Sequence, residues 1–113
     1  DEVHITAVGV HHAYRGRGIG ELLLISGLEL AQLRGASEAT LEVRVSNDVA
    51  QSLYRKYAFE NKGIRPKYYT DNNEDAMIMT TPDIQSPEYR ALLVPLIQAH
   101  GRRYGSSTRN LGE

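Results

Sequence analysis

Three glycines in the run Arg15-Gly16-Arg17-Gly18-Ile19-Gly20 stand where chemistry on a phosphorylated ligand would begin. The run separates a short apolar segment from the strongest helical pattern in the chain, so its backbone N–H groups would point into one small region and form an anion site. Phosphate can approach the main chain closely where there is no Cβ, and the helix N-terminus adds partial positive charge. A pyrophosphate group suits such a cradle. The competing reading is a tight turn with glycines for steric reasons, and a bare Gly-x-Gly-x-x-Gly match would favour it. Two familiar phosphate loops are excluded. No Gly-x-x-x-x-Gly-Lys-Ser/Thr pattern is present, and the spacing Gly16-x-Gly18-x-Gly20 is not the dinucleotide fingerprint. ATP and NAD are therefore weak candidates.

A second constellation follows. Leu41, Val43 and Val45 alternate with Glu42 and Arg44, the pattern of a half-buried strand with the apolar set on one face and Glu42 on the other. Asn47 and Tyr54 are seven residues apart, two helical turns, so both can lie along one edge of a helix and face the same ligand. Taken singly, Glu42 reads as a solvated carboxylate with Arg44 as a partner within reach, and Tyr54 as a helix residue beside the core. Their joint placement one element after a phosphate loop favours a site.

The elements that would position these groups can be read in order. Residues 4–10 suit a buried strand, and residues 11–17 a loop. From Gly18 to Arg34, Ile19, Leu22, Leu23, Leu30 and Leu33 fall at helical spacing, with Gly35 placed as a left-handed stop. Ser46, Asn47 and Asp48 are good N-cap residues for a helix with Val49, Leu53 and Tyr57 every fourth residue, ending near Ala58. Residues 60–70 and 76–80 read as strands joined by a turn-rich stretch. A short helix from Ser86 to Ala99 contains Pro95, and about the last ten residues are expected to be disordered.

Composition narrows the class. With 113 residues, one domain is the default. A hydrophobic fraction of 41% and a charged fraction of 24% are those of a soluble globular chain, and no apolar run approaches a membrane span. No cysteine is present, which removes disulfides, thiolate metal sites and a cysteine nucleophile. The net charge of −1 lacks the basic excess of a nucleic-acid binder, and Asp1-Glu2 begins nothing like a signal peptide, so a cytoplasmic protein is expected. His11 and His12 invite a metal reading, but adjacent residues on an extended segment point apart. No metal is expected.

Val8-Gly9-Val10, Tyr14 to Gly20 and the leucine-rich helix that follows resemble the acetyl-CoA motif of the GNAT superfamily. Leu41 to Asn47, then Ala50, Leu53-Tyr54 and Ala58-Phe59, are similar to its branch that acetylates the N-terminal alanine of a ribosomal protein. Ile64 to Tyr69 and Glu74 to Met79 look like the tyrosine loop and closing strand of that branch. The matches cover roughly residues 4–80.

The resemblance implies an α/β fold, a mixed sheet of the GNAT type apparently lacking its N-terminal strands and helices. Residues 1–81 would form the acetyl-CoA-binding and catalytic part, and residues 82–113 a C-terminal extension. It implies acetyl-CoA as cosubstrate, with the main chain of Val8, Gly9 and Val10 pairing with the pantetheine arm like an added strand. Amides from Arg15, Gly16, Arg17, Gly18, Ile19, Gly20 and Glu21 would hold the pyrophosphate, and Asn47 the pantetheine end. Glu42 is cast as the general base, Tyr54 as the general acid that protonates the departing thiolate, and Tyr68 and Tyr69 as walls of a peptide groove. An α-amine, with a pKa of about 7.7 to 8.0, is appreciably neutral at pH 7 and suits a modest base, whereas lysine near 10.4 does not.

Three departures accompany the resemblance. The family fold carries several strands and helices before the acetyl-CoA strand, so an exposed strand edge and an open core face are expected, in a fragment or in a chain that is a monomer or weak dimer. Glu21 would repel phosphate unless its side chain turns to solvent. Ala58 stands where the family favours glycine, and a left-handed stop there would cost roughly 1 kcal/mol. The acceptor is expected to be a protein N-terminus, with a lysine or small-molecule amine as the alternative. A further alternative is a catalytically inactive CoA-binding or interaction module.

Overall fold

The structure, a computed structural model, describes residues 2–5 and 19–104. Among these residues four strands and three helices follow one another: β1 (Glu2–His4), α1 (Ile19–Leu33), β2 (Glu38–Arg44), α2 (Asp48–Lys56), β3 (Glu60–Arg65), β4 (Ala76–Thr80) and α3 (Pro87–Tyr104). They form an α/β fold around one mixed sheet of order β1-β2-β4-β3. β1 runs parallel to β2, with His4 opposite Thr40, and the other two pairings are antiparallel. The parallel pair requires a crossover, which α1 supplies.

The two sheet faces differ sharply. Ala39, Leu41, Val43 and Met79 are buried against Leu24, Ile25, Leu28 and Ala31 of α1, and Ile84, Tyr89 and Leu93 join the same core. The opposite face presents Glu2 and His4 of β1, Glu38, Thr40 and Glu42 of β2, and Thr80 of β4. Period-2 alternation therefore separates the core from the polar face along β2, as the sequence implied.

Helix ends follow local chemistry. After α1, Ala36 N–H bonds to Ala31 O and Gly35 N–H to Gln32 O, with Gly35 at φ 79°. This is a Schellman stop, and glycine takes the left-handed position without a Cβ penalty. After α2 the same pattern recurs, with Phe59 N–H to Tyr54 O and Ala58 N–H to Arg55 O, but Ala58 occupies the left-handed position at φ 67°. The turn closes as it does after α1, with a residue in the left-handed position that carries a Cβ.

Several sequence expectations shift. α1 buries Leu22, Leu24, Ile25, Leu28 and Ala31, while Leu23, Leu30 and Leu33 are exposed. The helix is apolar around most of its circumference, so periodicity alone selected a stripe rotated from the true one. Val45 lies past the end of β2 and is exposed, because Asn47 N–H bonds to Arg44 O and turns the chain. Val49, in the first turn of α2, is 84% exposed; the helix meets the core from Ala50 onward, and Tyr57, its C-cap, is fully buried. β3 stops at Arg65, before Pro66, which has no N–H to donate, and Lys67, at φ 52°. α3 continues five residues beyond Ala99, to Tyr104, and the expected disordered tail otherwise lies outside the described residues. The described part of the first strand is Glu2–His4, extended by Ile5 N–H to Thr40 O; residues 6–10 lie outside it.

Candidate active site

Glu42 lies opposite Ile78 in the β2–β4 pairing and points to the polar face of the sheet. There it borders a cavity of about 440 Å³ together with His4, Thr40, Lys62, Arg65 and Thr80. Its carboxylate is only 8% exposed and is held from both sides. His4 Nε2 lies 2.5 Å from one oxygen, and Arg65 Nε donates to the other at 3.3 Å. A carboxylate so enclosed stays in one orientation toward the cavity, which a proton acceptor requires. The expected pairing with Arg44 does not occur. His4 and Arg65 were not identified from the sequence, because only the parallel register of β1 and the neighbouring β3–β4 hairpin bring them to Glu42.

Tyr54 is half-buried on α2, its ring 5.8 Å from that of Phe59. Burial pushes its hydroxyl pKa up, so it stays protonated and can serve as a donor. Asn47 does not sit within the helix: it is the N-cap of α2, and its Oδ1 accepts from Ala50 N–H at 3.0 Å. Among the described residues nothing accepts from the side-chain amide of Asn47, which carries two donors. Gln51, buried in the same helix, donates to the carbonyls of both Arg44 and Val45 at 3.0 Å. It thereby fastens α2 to the end of the strand that carries Glu42.

Tyr68 and Tyr69 lie in the β3–β4 connection with their rings edge to face, 5.1 Å apart. The Arg44 guanidinium sits 4.0 Å over the Tyr69 ring and donates to Asp71 at 2.9 Å and to Glu74 and Asn72 at 3.2 Å. Burial pushes the Tyr69 hydroxyl pKa up; the Arg44 charge opposes this, while Tyr68, Glu42 and Tyr54 add to it.

Glu21, in the first turn of α1, does not turn to solvent. Its Oε2 accepts from Tyr57 Oη at 2.5 Å and from Lys56 Nζ at 3.0 Å, and its side chain is 15% exposed. Burial pushes this carboxyl up, but the hydrogen bonds from Tyr57 and Lys56 and the charges of Lys56 and His100 outweigh it and hold the pKa below the usual value. The sequence-based objection that Glu21 must repel phosphate is therefore met internally, by a neighbouring cation. Ile19 and Gly20 open α1. Val8, Gly9, Val10, Arg15, Gly16, Arg17 and Gly18 lie outside the described residues, as do His11 and His12. Among the described residues no group of three His, Asp or Glu side chains could hold a metal ion, and no helix is long and apolar enough to cross a membrane.

Known proteins resemble this chain in sequence and in fold. The model of the Acetyltransferase (GNAT) family matches residues 1–59. A Bacillus subtilis protein, provisionally named a ribosomal protein bS18-alanine N-acetyltransferase, is 48% identical over 79 residues, which is 70% of this chain and 52% of that protein. The Escherichia coli K12 ribosomal protein bS18-alanine N-acetyltransferase is 38% identical over 84 residues, 73% of this chain and 57% of that protein. A crystal structure of the E. coli ribosomal-protein-S18-alanine N-acetyltransferase superposes with a TM-score of 0.64 at 37% identity, covering 73% of this chain and 54% of the other. The chain thus spans about half the length of these relatives. The family model covers more than half of the chain, and the chain belongs to the GNAT acetyltransferase family.

Proposed function

We propose that this chain carries the acetyl-CoA-binding and catalytic part of an N-acetyltransferase that acts on a protein N-terminal amine, the N-terminal alanine of a ribosomal protein. The observation that carries the reading is the enclosed Glu42 carboxylate at the wall of an open cavity, with a half-buried tyrosine on the adjoining helix. The Bacillus and E. coli relatives, both named as ribosomal protein bS18-alanine N-acetyltransferases, support the acceptor. Such an acceptor places the reaction in the cytoplasm.

In this reading the acceptor enters the polar face as an α-ammonium and gives one proton to Glu42, directly or through a water. The neutral nitrogen attacks the thioester carbon, the C–N bond forms, the nitrogen gives up its second proton to water, and the C–S bond breaks as the CoA thiolate departs. Tyr54, kept protonated by its burial, donates its proton to that sulfur and is reprotonated from solvent. His4 and Arg65 keep the Glu42 oxygens oriented. The glycine loop and the main chain of Val8 to Val10 would hold the pyrophosphate and pantetheine of acetyl-CoA, and the Asn47 amide the arm near the thioester. Residues 1–81 carry all of these groups.

Titration calorimetry with acetyl-CoA, followed by a thiol-release assay with a peptide beginning in alanine, tests the proposal. Binding with release is expected. Binding without release would refute transfer and leave a CoA-binding module, and release with a lysine side chain but not with the α-amine would move the acceptor to the alternative class.

A further inference from the structure

The β3–β4 connection, residues 66–75, is an exposed segment rich in turn-forming residues, yet it is sewn to the end of β2 at several points. Arg44 is the centre of this knot. Its two terminal nitrogens reach Asp71, Asn72 and Glu74, and its plane covers Tyr69. Glu74 uses its second oxygen to accept from the Ser46 N–H at 2.8 Å, and its main-chain carbonyl accepts from the Tyr69 N–H at 3.1 Å. Asp75 closes the base of the segment by accepting from the Lys67 N–H at 2.9 Å, and its carbonyl accepts from the Val45 N–H at 3.3 Å. Every carboxylate in the segment is therefore turned to holding the loop.

Position in the sheet gives this knot its meaning. Arg44 is two residues after Glu42 on the same strand and three before Asn47, the cap of the helix that bears Tyr54. A rigid strand thus carries the carboxylate at one point and the anchor of the tyrosine loop one pleat farther on. We propose that Arg44 is a positioning residue for the acceptor: through Asp71, Glu74 and Tyr69 it fixes Tyr68 and Tyr69 at a set distance from Glu42, and so determines where an acceptor N-terminus lies. This rests on the proposed function for its consequence but not for its geometry. Lysine cannot replace arginine here, because one ammonium cannot bridge two carboxylates in the plane of a fork while stacking on a ring.

The test compares the chain with its Arg44→Lys and Arg44→Gln variants, reading acetyl-CoA affinity by calorimetry and kcat and KM for an alanine-initiated peptide. Both variants should raise the peptide KM by about tenfold with acetyl-CoA affinity unchanged, since only acceptor placement is lost. A Tyr69→Leu variant should raise KM similarly, and Arg44→Gln combined with Tyr69→Leu should cost little more than either alone, because both act through one contact. Unchanged peptide KM in both Arg44 variants, a fall confined to kcat, or additive effects in the double variant would overturn the proposal. If the parent chain binds acetyl-CoA but transfers nothing, the functional reading fails separately, and amide hydrogen exchange then decides. Faster exchange at the Lys67 and Tyr69 amides in Arg44→Gln supports the strut, and parental rates at both amides refute it. If Arg44→Gln does not fold, the Tyr69→Leu variant carries the kinetic test, with an unchanged KM refuting the proposal.

Discussion

The Tyr57 hydroxyl donates to Glu21 Oε2 at 2.5 Å and so ties the end of α2 to the first turn of α1. Tyr57 is itself fully buried, and its main-chain carbonyl accepts from Tyr89 Oη of α3 at 2.8 Å. One residue thereby links all three helices.

Replacing Glu21 with Gln should therefore destabilise the protein at neutral pH by about 1 kcal/mol, the order of a charge-assisted hydrogen bond at a partly buried position. The folded-state pKa of Glu21 lies below the ordinary 4.5. Its contribution is complete above that value and is lost as the pH falls through the lower, folded one. Urea unfolding at a series of pH values should show the parent losing this increment on the acid side of 4.5, while Glu21→Gln shows a flatter acid limb. Parallel pH curves for the two proteins would remove Glu21 from the linkage.

Tyr54→Phe should keep acetyl-CoA affinity and lower kcat by about a hundredfold, because it deletes a proton donor with little change in packing. Glu42→Gln should likewise retain the fold, since an amide still meets His4 and Arg65, and should slow transfer by a similar order. An unchanged turnover number in either variant takes that residue out of the chemistry.

Gln51→Leu tests how α2 is fastened to β2. The two carbonyls it satisfies, those of Arg44 and Val45, would be left without their side-chain donor. A loss of about 2 kcal/mol is expected from this, seen as a lower midpoint in denaturant. Tyr54 is carried by the same helix, so kcat should fall as well.

Ala58→Gly should stabilise the protein by roughly 1 kcal/mol, since the residue already holds φ 67° in a stop that glycine adopts without strain. Thermal unfolding would show a higher midpoint with unchanged kinetics. A lower midpoint would mean that the alanine methyl, which packs at the edge of the core, outweighs the backbone strain.

Much of this protein was legible before any coordinates, and for local reasons. The Gly35 stop depends on residues adjacent in the chain, as does the cap before α2, and both lie where sequence rules put them. Alternation along Leu41 to Val43 sent Glu42 to the polar face, because side chains on a strand point to opposite sides whatever the partner strand is. Glycine spacing before α1 and the run from Leu41 to Asn47 carried the family.

Other features depended on which elements meet. A helix as apolar as α1 has no single stripe to read, so its buried face was chosen by the sheet beneath it. The partners of Glu42 come from positions 38 residues before it and 23 after it, and neither separation leaves a local mark. Glu21 looked repulsive in sequence because Lys56 and Tyr57 reach it only when α2 docks on α1. The sequence by itself determined the family and the strand and helix types, since these follow from short-range periodicity and spacing. Only the tertiary structure decided which charges neutralise one another and which side chains hold the tyrosine loop, because ion pairs and cation–π contacts act over a few ångströms in space irrespective of separation along the chain.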